Sequence, residues 1–142
     1  MLYIGRMTDM ERPWLRHYPT TVAHDINPAD IVPLTALFDE SVRRFGPLPA
    51  FTNMGRTLTY AQVDALARRF AAWLQQQGLK PGDRIAIQMP NLLQYPVVMM
   101  GALRAGLIVV NTNPLCEMAH QFRDADVQAV VILDMFADKL AE

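Results

Sequence analysis

The run Lys80 to Pro114, KPGDRIAIQMPNLLQYPVVMMGALRAGLIVVNTNP, restricts the fold more than any other part of the chain. It divides into turn, strand, helix and strand, the pattern of one βαβ crossover in a parallel sheet. Lys80-Pro81-Gly82-Asp83 has the composition of a type II turn: Pro81 pre-sets φ at the second position, and Gly82 supplies the positive φ at the third. Arg84 to Met89 follows as a strand, with Ile85, Ile87 and Met89 on one face and Ala86 on the other. Apolar residues on both sides suit a strand covered by helices above and below. Leu107 to Asn111 is the returning strand, apolar and β-branched. The helix between them closes at Arg104-Ala105-Gly106, with a cation in the last turn and a glycine for the left-handed residue beyond it.

A length of 142 residues suits one domain of ordinary size. Net charge is −1, and the lysines and arginines are dispersed, so no basic patch points to nucleic acid. Cys116 is the single cysteine, which excludes an intramolecular disulfide, and His17, His24 and His120 have no metal-ligand spacing. The opening MLYIGRMTDMERPW lacks the apolar run of a signal peptide. Met7 and Met10 each offer an alternative start, which would make Met1 to Arg6 an upstream extension. Leu92 to Val110 is the one stretch apolar enough to suggest a membrane span, but it holds Gln94, Pro96 and Arg104 and is divided by two glycines. Arginine in mid-bilayer is costly, so the expectation is a buried helix followed by a buried strand.

Residues 1–32 contain Pro13, Pro19 and Pro28 and no sustained period, and read as an extended arm over the domain surface. Pro33 then opens a helix with Leu34, Leu37, Phe38, Val42 and Phe45 on one stripe, stopped by Gly46-Pro47. Ala50 to Thr59 is a short hairpin turning around Asn53-Met54-Gly55-Arg56. Thr59 and Gln62 form a capping box for the next helix, with Leu58 and Val63 as its hydrophobic staple. Val63, Leu66, Phe70 and Leu74 should face the core, and Gly78 should close the helix with Leu79 reaching back to Leu74. In the central helix, a start at Asn91 would leave Pro96 beyond the unpaired first turn, so the helix either begins nearer Gln94 or is kinked. Glu117 to Asp126 is helical, Ala129 to Leu133 is a fully buried strand, and Asp134 to Leu140 starts another helix. The fold class is therefore α/β: three layers, a mostly parallel sheet with right-handed crossover helices, and a short hairpin before it.

GDRIAIQMPNLLQYPVVMMGALRAGLIVVNTNPL, with TLTYAQVDALARRFAAWLQQQGLKPGDR just upstream, closely resembles the bacterial long-chain fatty acid–CoA ligases of the adenylate-forming superfamily. The resemblance runs from about His17 to the last residue, and NTNPL after ALRAG is characteristic of the fatty-acyl branch. It implies that residues 33–142 are part of the AMP-binding amino-terminal domain. One departure is visible. The family continues N-T-N-P-L with Tyr-Thr-x-Arg-Glu, whose threonine caps the next helix, whereas here Leu115 runs through Cys116 into Glu117-Met118, three residues short. Cysteine is a poor cap, so this helix should start unsupported. A genuine deletion and a fault in the reading frame both account for the gap.

For the whole enzyme the resemblance implies ATP, magnesium and coenzyme A: a fatty acid would become an acyl-adenylate, and the thiol of coenzyme A would displace AMP. The composition and the single cysteine read most plainly as a cytoplasmic protein, compatible with peripheral contact on the inner face of the membrane. The family does this chemistry with later motifs: a Ser/Thr/Gly-rich loop ending in Pro-Lys-Gly, an acidic magnesium ligand and a lysine in a mobile carboxyl-terminal domain. None occurs in these 142 residues. No glycine-rich phosphate cradle or G-x-S-x-G elbow is present, and Cys116 has no nearby histidine set up as its base. We therefore assign no catalytic, cofactor-binding or metal-binding residue, and expect an inactive piece that lacks its carboxyl-terminal remainder.

Several residues invite a ligand role and have a plainer one. Asn111-Thr112-Asn113 lies past the carboxyl end of a strand, where open α/β sheets bind ligands, but its residues also make turns. Arg104 reads as a helix-end cation before a phosphate ligand. Tyr60 and Trp73 read as packing residues with a polar tip, Met99 and Met100 as core fillers before an acyl pocket, and His120 as solvated. Two alternatives stay open: another adenylate-forming ligase, for aryl acids or of the luciferase type, and a stand-alone α/β module that binds without catalysis. A module would need a closed sheet, whereas an exposed, aggregation-prone edge is expected near Val130 to Leu133.

Overall fold

The computed structural model describes residues 12–112 and 118–140. The chain divides between Val32 and Pro33 into two compact units. In the first, the described residues form two short 3₁₀ turns, Pro13–His17 and Pro28–Asp30. Arg12 donates to both carboxylate oxygens of Asp25, at 2.6 and 3.1 Å. That hydrogen-bonded pairing holds the Asp25 carboxyl below its ordinary pKa.

The second unit begins with α1 (Leu34–Phe45), then a hairpin of β1 (Pro49–Asn53) and β2 (Arg56–Thr59), and α2 (Tyr60–Gln76). The hairpin turns on two residues with positive φ, Met54 at 49° and Gly55 at 75°, the sign pattern of a type I′ turn. Thr59 accepts from Gln62 N at 3.2 Å while the Gln62 side chain accepts from Thr59 N at 2.9 Å, so the expected capping box is formed. The buried centre of α2 differs from the expected one. Val63, Ala67, Ala71 and Leu74 are buried, while Leu66 and Phe70 are only half-buried at its margins. The cause lies across the interface at Gly101, where an added Cβ would sit 2.8 Å from the Ala67 carbonyl oxygen and from Phe70 Cδ1. Helices approaching this closely require small residues on both sides.

The parallel sheet holds β3 (Arg84–Gln88), β4 (Ile108–Asn111) and β5 (Ala129–Ile132) in the order β4-β3-β5. Ile85 pairs with Val109 on one side and Ala129 on the other, with all three strands parallel. Between β3 and β4 runs α3 (Gln94–Arg104), which starts at Gln94, so Pro96 is its third residue and its missing N–H breaks no helical bond. The chain leaves α3 through a complete Schellman motif: Gly106 N bonds the Leu103 carbonyl at 3.1 Å and Leu107 N the Ala102 carbonyl at 3.0 Å. Gly106 has φ +80°, and its would-be Cβ meets Pro81 at 3.0 Å. Gly82 N also donates to the Gly106 carbonyl at 2.9 Å, locking the two turns together at the amino ends of the strands.

Right-handed crossovers to opposite sides of β3 put α3 and α4 (Met118–Asp124) on opposite faces of the sheet. On the first face Ile85, Val109, Ala129 and Val131 pack with Ala71 and Leu74 of α2 and Ala102 of α3. A second cluster joins the helices through Phe38, Val63, Ala67 and Met100. On the opposite face Ala86 and Gln88 of β3 are fully buried, although none of α4's own residues is. Three expectations are corrected. β5 is half-buried along its length rather than fully buried, and no strand lies beside its outer edge among the described residues. On α1 only Phe38 is buried, and Leu34 and Leu37 stay half exposed. Asp134–Leu140 is a 3₁₀ segment rather than the first turns of an α-helix. The helix expected from Glu117 begins at Met118 among the described residues and ends at Asp124, where Asp126 takes the left-handed position with φ +48°.

Candidate functional site

In an open α/β sheet the ligand-binding crevice lies outside the carboxyl ends of two neighbouring strands whose connections leave to opposite faces. Here those strands are β3 and β4. Asn111, at the end of β4, accepts from the Tyr95 hydroxyl at 2.9 Å. Thr112 is buried, and its N–H and hydroxyl both donate to the Ile87 carbonyl, at 3.2 and 3.5 Å. Asn113 and Cys116 lie outside the described residues. After β3, the Asn91 carbonyl accepts from Asn53 Nδ2 of the hairpin at 3.2 Å. The crevice polar groups are thus bonded to one another and fix the loops. They offer neither a cluster of donors for a triphosphate nor, among the described residues, any group of three or more His, Cys, Asp or Glu that could hold a metal ion. ATP and magnesium do not fit the described residues, and no chemical step is derived through them.

An apolar slot of about 280 Å³ opens beside this crevice, between β1 and the start of α3, with Phe51, Leu92, Pro96 and Met99 in its wall. Met99 and Met100 therefore part company: Met99 lines the slot, while Met100 is core. Tyr60 packs its ring against Phe45 at 6.1 Å. Trp73 stacks on Phe70 at 5.8 Å with half its surface exposed, and His120 is exposed on α4.

Arg104 sits at the opposite end of the sheet, in the last turn of α3, where the helix dipole favours a cation. It does more there than that rule requires. Its Nη2 donates to Asp64 of α2 at 2.6 Å and to Asp39 of α1, and its guanidinium lies 5.8 Å from the Phe38 ring centre. Arg68 donates to the other Asp64 oxygen at 2.8 Å, and that bond raises the Arg68 pKa above its ordinary value. Two arginines and two aspartates thus bolt three helices together, 65 and 40 residues apart in sequence. No local pattern reveals such partners.

Gln88 is the functional-looking residue that the sequence reading passed over. It is fully buried on the central strand, facing α4, where its Nε2 meets the Met118 sulfur at 2.7 Å and its Oε1 has no partner among the described residues. A buried amide oxygen left unpaired costs about 1–3 kcal/mol. Gln88→Met, which keeps the shape and removes the polar atoms, is expected to raise stability by about 1 kcal/mol, read as a higher urea midpoint at unchanged m-value.

The arrangement belongs to a known group of proteins. Residues 38–142 match the sequence profile of the AMP-binding enzyme family. A long-chain-fatty-acid–CoA ligase of Escherichia coli O6:H1 is 49% identical over 135 residues, covering 92% of this chain and 24% of that protein. A Bacillus subtilis protein of the same name is 37% identical over 132 residues, covering 91% and 23%. The chain thus spans about a quarter of the length of these relatives and corresponds to their amino-terminal region. Among solved structures, Mycobacterium smegmatis MbtA superposes with a TM-score of 0.69 at 31% identity, over 76% of this chain and 22% of that one. A benzoate CoA ligase from Burkholderia xenovorans LB400 gives 0.71 at 23% identity, over 78% and 23%, a likeness of fold. With its parallel three-strand sheet and amino-terminal hairpin, the chain belongs to the AMP-binding enzyme family.

Proposed function

We propose that this chain is the amino-terminal part of a long-chain fatty acid–CoA ligase, and that it serves as scaffold without activity of its own. The whole enzyme would use ATP, magnesium and coenzyme A to join a fatty acid to a thiol. Its carboxyl-terminal remainder would be the principal partner. A carboxylate is a poor electrophile, so such an enzyme must first convert it to a mixed anhydride with a stabilised leaving group. The mutual hydrogen bonding of the polar groups around the carboxyl ends of β3 and β4 supports the scaffold reading. What carries the reading is the 49% identity over 135 residues to a ligase of that name. A cytoplasmic setting goes with it, with peripheral contact at the inner face of the membrane and no nucleic-acid partner. No described helix is long and apolar enough to cross a membrane.

The test has two arms. The chain alone, given ATP, magnesium, palmitate and coenzyme A, should release no AMP. A chimera in which it replaces the matching region of the Escherichia coli relative should form palmitoyl-CoA. AMP release by the chain alone would end the scaffold reading. A folded chimera that is inactive with palmitate, or active only with benzoate, would end the fatty-acyl one.

A further inference from the structure

We draw no further inference here: the strongest candidate, the apolar slot between β1 and the start of α3 that Phe51, Leu92, Pro96 and Met99 wall, lies in a chain spanning about a quarter of the length of its relatives, and nothing in the structure shows what covers it.

Discussion

Arg104→Ala is expected to lower the stability of the second unit by about 3 kcal/mol, the range for removing one partner from a largely buried ion pair. The Arg104 and Asp64 side chains are only 13% and 14% exposed, so water cannot replace the lost guanidinium at Asp64. Asp39 is 46% exposed and rehydrates, so its share of the loss is small. Arg104→Lys should recover about half: an ammonium can bridge the two carboxylates as Nη2 does, but it loses the flat guanidinium that lies against the Phe38 ring. Arg104→Met combined with Asp64→Leu should cost less than Arg104→Ala alone, since no charge is then stranded. These are differences in urea midpoint. A loss below about 1 kcal/mol for Arg104→Ala would mean that the cluster behaves as an ordinary surface pair.

Gly101→Val should be nearly as damaging, by about 3 kcal/mol, through overpacking rather than lost charge. The first carbon added at this position lies 2.8 Å from the Ala67 carbonyl oxygen, which belongs to rigid helix backbone and cannot swing aside. Relief requires α2 and α3 to separate, and these two helices form the main interface of the unit. Gly101→Ala tests the sign. Alanine favours the helix over glycine by about 1 kcal/mol, so a net loss would isolate the steric cost and a net gain would show that the helices part easily. Thermal unfolding with calorimetric enthalpy resolves both variants.

What was legible in the sequence divides by distance along the chain. The capping box at Thr59 and Gln62, the turn at Pro81-Gly82 and the left-handed Gly106 were all readable, because each depends on residues within four positions. The common direction of β3, β4 and β5 in one sheet was readable too, since apolar strands alternating with helices leave few other arrangements. The partners of Arg104 were not: Asp39 and Asp64 look like ordinary solvated carboxylates until α1, α2 and α3 are packed. Ala67 and Ala71 were passed over because hydrophobic periodicity favours large residues, whereas the closest helix contact selects small ones. The run Ala129 to Leu133 reads as a buried strand because its five apolar residues have the pattern of one; whether they are covered depends on neighbours that the run itself does not contain. The candidate crevice was visible as a place, at the end of β4, but its inward-turned hydrogen bonds needed coordinates.

The strand order has a consequence for how the chain emerges during synthesis. β3 is made first and ends in the middle, and β4 and then β5 are laid against its two free sides. Among the described strands of this sheet none has to be threaded between two that are already paired, so the nascent sheet grows outward from β3. A ribosome that has released residues as far as Thr112 has therefore already exported a helical and two-stranded seed, onto which α4 and β5 condense.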